Sequence, residues 1–379
     1  MKIGILTYFR SHNYGSYLQG YALTMYLRQL GYDAELINFN MTKAAERFSS
    51  PKLGKDPFRF YYRRKNYISF EDNLLLAPCD NKLLISDSVE DLREKIYGKY
   101  DLLIVGSDEI WKTDNFRGFP NPYWLPGDFG CPKCAYAVSS LSEDSCLTDI
   151  ERQQLLKFVT DFDYLSVRDK YTYDKLKKIV GNNKKVFCVS DPTFMYDFKV
   201  DKQEGRKLLC RITRANPKNK IIGFMSSDKK LAKTVKQVVG KEGQVIALYD
   251  YMLGMKNTLC VTPMQWYKII AGLDLMVTSY FHGTCFSIIE STPFVSFDCS
   301  TKNYERSKIY QLLNQCGLLN RFILGNKIDS YDRAANLIMR EINSKEEFCG
   351  DDVIRKFRKL NNSFEIYLRK IEGSQRNEK

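Results

Sequence analysis

The stretch Leu275-Met276-Val277-Thr278-Ser279-Tyr280-Phe281-His282-Gly283-Thr284, continued by Cys285-Phe286-Ser287-Ile288-Ile289, decides the fold. A short apolar run of strand type meets a turn and then a helix start. That is where parallel α/β sheets place the groups that meet a ligand. A fresh helix N-terminus offers backbone N–H groups to an anion. His282 adds a titratable group there, and it is one of only two histidines in 379 residues. The competing reading is a half-buried histidine that satisfies a neighbouring backbone group.

Working outward, strands and helices alternate along the chain, the pattern of parallel sheets. Residues 3–8 form a buried-type strand, followed by the polar turn 10–16 and a helix to about residue 30, ended by Gly31. Strands are expected at 34–39, 101–105, 133–138, 164–167 and 186–189, with helices at 89–97, 148–158 and 171–179. Further strands are expected near 221–225, 244–248, 274–279 and 294–297. Residues 41–75 are basic and aromatic without clean periodicity and read as an insertion near the active face. The polar stretch 196–206 reads as a linker.

A chain of this length exceeds what one core supports, so two domains are expected, 1–195 and 196–330. The helical segment 331–379 should pack back across the first. No run of 18 or more apolar residues occurs, and the N-terminus is too strand-like for a signal peptide. A cytoplasmic location is expected. Eleven cysteines show no disulfide pattern, and the pair Cys131/Cys134 lacks the second half of a zinc site, so no metal is expected. The net charge of +13 favours acidic partners. No nucleic-acid-binding module is present. That leaves phosphate-bearing substrates, with peripheral contact at the inner face of an anionic membrane.

Five motifs in order carry a resemblance. They are Gly4-Ile5-Leu6-Thr7-Tyr8 with His12-Asn13-Tyr14-Gly15-Ser16, Val105-Gly106-Ser107-Asp108-Glu109-Ile110-Trp111, Ser166-Val167-Arg168-Asp169, Asp191-Pro192-Thr193, and Ser279-Tyr280-Phe281-His282-Gly283. Together they resemble the polysaccharide pyruvyl transferase family over roughly residues 3–325. The resemblance implies two Rossmann-like domains facing a central cleft, as in GT-B glycosyltransferases, the first on the acceptor side and the second on the donor side. It implies a reaction of phosphoenolpyruvate with a sugar diol, free or lipid-linked, that forms a pyruvate ketal in cell-surface glycan synthesis, with no further cofactor. Two positions depart from the family pattern: Tyr280 stands where many members carry Arg, and Glu109 where Gln is common.

The resemblance assigns Arg168 and His282 to the donor. A guanidinium fork suits a carboxylate or phosphate, although a cap or salt bridge competes for Arg168. Gly283 and Thr284 would cradle the phosphate, beside Ser279. Asp108 and Glu109 are acid/base candidates toward the acceptor, against a local Asx turn or cap at Asp108. Gly106 and Ser107 belong to the same turn. Asn13 and Gln19 are expected to reach the ligand, and Gly15 to allow positive φ or a close approach. Trp111 and Trp124 either wall the acceptor or pin their Pro/Gly-rich loop. The alternatives are a nucleotide-sugar glycosyltransferase of GT-B type and a non-catalytic glycan-binding relative.

Overall fold

The computed structural model describes residues 1–49, 51, 56–142, 147–241, 243–299, 304–325 and 327–377. It contains two compact units. The first comprises Met1–Ser49, Leu76–Tyr196 and Arg355–Lys379, and the second Ser50–Leu75 and Asp197–Ile354.

The first unit is built on strands β1 (Lys2–Leu6), β2 (Asp33–Leu36), the short pair β3 (Phe39–Asn40) and β4 (Leu84–Ile85), then β5 (Leu102–Val105), β6 (Lys133–Val138), β7 (Tyr164–Val167) and β8 (Phe187–Cys188). Six of them form a parallel sheet ordered β2-β1-β5-β6-β7-β8. Every residue of β5, β6 and β7 is buried, which is why they read as mostly apolar runs, broken only by Lys133 and Ser166, rather than alternating ones. Its helices are α1 (Tyr14–Gln29), α2 (Thr42–Arg47), α4 (Val89–Ile96), α5 (Asp149–Thr160) and α6 (Lys170–Val180), with α3 (Pro57–Leu74) belonging to the second unit. Local chemistry sets their starts. Thr148 and Glu151 form a capping box on α5, and Asp169 caps α6 through Thr172 N. Gly31 (φ 91) follows the last turn of α1, as expected.

The second unit holds α7 (Lys202–Thr213), β9 (Lys220–Met225), α8 (Lys229–Val239), β10 (Gly243–Ala247), β11 (Lys256–Asn257), α9 (Pro263–Ala271), β12 (Leu275–Thr278), α10 (Phe281–Ile289), β13 (Phe294–Asp298), α11 (Lys308–Cys316), β14 (Phe322–Leu324) and α12 (Ser330–Asn343). Its sheet is parallel in the order β11-β10-β9-β12-β13-β14. Both units are thus Rossmann-like.

The division of the chain differs from the expected 1–195, 196–330 and 331–379. Ser50–Leu75 joins the second unit, because Asn66 Oδ1 accepts from Cys260 N at 2.9 Å and Tyr62 lies 4.9 Å from Tyr251. The polar stretch expected as a linker is half helix, since Asp201 accepts from Glu204 N and starts α7. Helix α12, expected in the C-terminal segment, buries Ala334, Leu337 and Ile338 in the second core. Only the part from Arg355 on, most of α13 (Asp351–Leu360) and all of α14 (Asn362–Asn377), belongs to the first unit. Phe364 sits 4.4 Å from the Tyr136 ring, Asn361 Nδ2 donates to Ser190 Oγ, and the Tyr26 hydroxyl donates to Glu365. No described helix is long and apolar enough to cross a membrane.

Phe364 is fully buried against strands of the first sheet. Phe364→Ala is expected to cost about 3–5 kcal/mol, the usual range for emptying such a site. A denaturant midpoint measurement checks this, and an unchanged midpoint would mean that the C-terminal helix is not part of the first core.

Candidate functional site

In the first sheet the chain leaves β1 toward β2 on one side and runs from β5 to β8 on the other. The connections therefore part between β1 and β5, the point at whose carboxyl ends open α/β sheets take their ligands. Two polar side chains meet across that point. Ser16, in the first turn of α1, donates its hydroxyl to Asp108 Oδ2 at 2.8 Å. Asp108 follows β5 and holds φ at 85°, a left-handed conformation that costs a side-chain-bearing residue about 1–3 kcal/mol. The turn tightens because a Cβ on Gly106 (φ 118) would overlap the Tyr136 carbonyl oxygen.

Asp108 is held in this conformation by donors. Its Oδ1 accepts from Glu109 N at 2.8 Å and from Arg168 Nη2 at 3.2 Å. Arg168, at the end of β7, turns its other nitrogen to Asp191 Oδ2 at 2.6 Å and to Ser107 Oγ at 3.4 Å. One guanidinium thus meets two carboxylates. Burial alone would weaken its hold on the proton, but Asp191 and Asp108 outweigh that and keep it above the ordinary arginine value. The Arg168 and Asp191 side chains are 4% and 1% exposed, whereas Asp108 keeps 12%. This corrects the expectation of a donor clamp at Arg168. Its fork is spent on two aspartates, and it positions Asp108.

Other expected contacts are also local. Asn13 caps α1, accepting from Gly15 N and Ser16 N, so its oxygen is occupied. Gly15 lies within α1, and the positive φ of that turn falls on His12 (51°) instead. Gln19 is fully buried and donates to Thr7 Oγ1 and the Ser16 carbonyl, tying α1 to the end of β1. Ser107 is fully buried beneath Asp108, its hydroxyl donating to the Ala137 carbonyl. Trp111 and Trp124 stack on each other at 4.9 Å inside the core and pin their loop. Of the C-x-x-C pair, Cys134 is buried in β6, and burial pushes the Cys131 thiol up to about 11. No cluster of three metal-ligand side chains occurs among the described residues.

The second sheet parts in the same way between β9 and β12. Ser279 donates to Ser226 Oγ at 2.8 Å across that point. Tyr280 precedes α10, its hydroxyl donating to Asp250 Oδ2 at 3.3 Å, and burial then Asp250 push it above the ordinary tyrosine value. Asp250 Oδ1 accepts from Arg63 Nη2 at 3.0 Å and lies 3.6 Å from Arg59, both on α3. Two arginines are thus gathered on the tyrosine's own partner. His282 is the second residue of α10, 8% exposed, with its ring 6.0 Å from Phe286 and 5.2 Å from Phe281.

At the helix start where the phosphate cradle is expected, Gly283 and Thr284 turn their Cα and side-chain faces inward. A Cβ on Gly283 would fall against the Thr278 hydroxyl, so this glycine lets α10 approach β12. Thr284 is buried against Ser296 at 2.8 Å, and its N–H donates to the Tyr280 carbonyl. Ser16, Asp191, Ser226, Asp250, Arg59 and Arg63 were not among the expected site residues. Ser16 and Asp191 carried a signal, since each lies in one of the five motifs.

The model of the polysaccharide pyruvyl transferase family matches residues 13–301. Among curated proteins none matches this sequence. Among solved structures, Anabaena Alr3699/HepE in complex with UDP and glucose is 12% identical with a TM-score of 0.57, over 98% of this chain and 100% of that one. The UDP-GlcNAc 2-epimerase of Methanocaldococcus jannaschii is 10% identical with a TM-score of 0.51, over 95% and 99%. Staphylococcus aureus MnaA with UDP is 12% identical with a TM-score of 0.51, over 97% of each chain. At such identities the likeness shows the GT-B-like fold alone.

The buried triad makes its own prediction. Arg168→Leu leaves Asp108 and Asp191 without a cation and should cost about 3–5 kcal/mol. Adding Asp191→Asn should recover part of that loss in urea denaturation. If the double variant is as unstable as the sum of the single ones, the pairing energy is wrongly assigned.

Proposed function

This chain belongs to the polysaccharide pyruvyl transferase family, and we propose that it converts phosphoenolpyruvate and a sugar diol into a pyruvate ketal with release of phosphate. The observation that carries the reading is the family match over 13–301. That span contains both sheet junctions at which the polar side chains of the two units collect.

The chemistry divides between those junctions. Phosphoenolpyruvate gains a proton at its methylene carbon, leaving positive charge at C2. One sugar hydroxyl adds there, its proton passing to a base. A second hydroxyl of the same sugar then displaces phosphate and closes the ring. His282 is suited to the donor, as an imidazole that can pass a proton to the methylene carbon. Asp108 is suited to the acceptor, as a carboxylate oriented by Arg168, Ser16 and the Glu109 N–H. Arg168 and Asp191 act through Asp108 and position it. Arg63, tied to Tyr280 through Asp250, supplies positive charge for the donor's anionic groups.

The test is phosphate release from phosphoenolpyruvate with galactose-, mannose- and glucose-containing acceptors. Release should depend on the acceptor. His282→Ala and Asp108→Asn should each lower kcat by about 10²–10⁴-fold, the worth of a placed proton-transfer group. Arg63→Ala should raise KM for phosphoenolpyruvate more than it lowers kcat. Absence of release with every acceptor, together with no rise in melting temperature on adding phosphoenolpyruvate, would sink the assignment.

A further inference from the structure

Arg117 is as deeply buried as Arg168, at 8% exposed against 7%. Where Arg168 meets two carboxylates, Arg117 meets rings. Its guanidinium carbon lies 3.8 Å from the ring centre of Tyr8, 4.5 Å from that of Phe116 and 6.0 Å from that of Phe48. Its Nε is buried with no hydrogen-bond partner among the described residues. Asn115 fixes the backbone there, its Oδ1 accepting from Arg117 N at 2.8 Å. Like charge adds to the cost of this burial. Arg47 lies 4.6 Å from the centre of the same Phe116 ring. Burial pushes the Tyr123 hydroxyl up to about 12 against the pull of both Arg117 and Arg10.

This arginine stands beside the first junction. Tyr8 donates its hydroxyl to the Ile110 carbonyl at 3.3 Å, so its ring reaches from the guanidinium to the turn that carries Asp108. Burial raises the Tyr8 hydroxyl, Arg117 lowers it and Asp108 raises it, so both charges act on one group. Rings over the faces of a guanidinium leave its in-plane N–H groups in want of an acceptor. An unpaired buried cation is costly, and a planar fork suits the two oxygens of a carboxylate. Arg10 already donates to Asn38 Oδ1 at 3.0 Å and Arg47 is exposed, which leaves one buried fork for one monoanion. Phe48 and Phe116 are only half-buried, so the aromatic box keeps an open side.

We propose that Arg117 seats a carboxylate carried by the acceptor sugar, which makes the acceptor a hexuronate. The inference rests on the ketal-forming reading of the protein, with Asp108 on the acceptor side, and names the class of that acceptor. An acidic sugar would be repelled by Asp108 alone, and a cation one ring away offsets that repulsion. The half-buried rings of Phe48 and Phe116 offer an apolar wall to the C–H face of the sugar. In a hexuronate C6 is the carboxylate itself, so the ketal closes on two ring hydroxyls.

The experiment is calorimetric titration of the full chain with the methyl glycosides of glucuronate and galacturonate, set against those of glucose and galactose and against glucose 6-phosphate. At least one uronate should bind about tenfold or more tightly than its neutral parent, the size of one charge-assisted hydrogen bond. Arg117→Gln should bring that uronate down to the level of the neutral sugar, and Arg117→Lys should keep part of the preference. Melting temperatures serve as the folding control, and the wild-type comparison decides even where a variant does not fold. Uronates bound no better than neutral sugars, glucose 6-phosphate bound as tightly as the uronate, or a preference unchanged in Arg117→Gln would overturn the site. Phosphoenolpyruvate is titrated separately, and its loss in Arg117→Gln would move the arginine to the donor and overturn the proposal. Its failure to bind the wild type beside an intact uronate preference sinks the proposed reaction alone. Phosphoenolpyruvate binding without that preference sinks the acidic acceptor alone.

Discussion

A single buried guanidinium organises the first unit. Arg168 lies at the end of β7 and holds the residues that come after β5 and β8. Through Asp108 it also reaches the first turn of α1 at Ser16. Taking these charges from water is expensive, and mutual attraction offsets that only with good geometry and further hydrogen bonds. Here Ser107, Ser16 and the Glu109 N–H supply them. With two carboxylates to one cation, the cluster keeps a formal negative charge. Asp108 is the member that retains some exposure, so this charge is presented where the sheet connections part. The interaction that fastens the strand ends is the one that aims the carboxylate.

The second unit handles the same topology differently. Across its parting point stands a neutral hydroxyl pair, Ser226 and Ser279. The charge lies further out, where Asp250 takes Tyr280 and two arginines of α3. The first junction is thus anionic and held fast from within, the second bordered by cations on a separately inserted helix.

Much of this was legible in the residues. Buried parallel strands are mostly apolar rather than alternating, so 102–105, 133–138 and 164–167 stand out, and capping residues mark α5 and α6. The motif residues Asp108, Arg168 and His282 do stand at strand ends. Partnership was hidden. Nothing in the spacing of Arg168 says that Asp108, 60 residues away, and Asp191, 23 residues away, consume its fork. The same limit hid the allegiance of α3. Its weak periodicity reflects arginines that pair with Asp250 rather than an apolar stripe facing a core. Asn13 and Gln19 misled for a simpler reason, since a polar side chain beside a helix start serves a cap or a ligand equally well by composition.

The division of the chain has a consequence for biosynthesis. The polypeptide passes from one unit to the other near residues 50, 75, 196 and 354, so neither unit is one continuous piece. The first sheet is strung in order by residue 188, but the faces of Tyr136 and Tyr164 stay uncovered until α14 has been made. During synthesis the whole second unit must emerge before the first can close, leaving an aromatic surface open to chaperones or to wrong partners in the meantime. The second unit waits on nothing, because α3 has already left the ribosome when α8 and β10 arrive. Completion therefore runs in reverse of chain order, the later unit first.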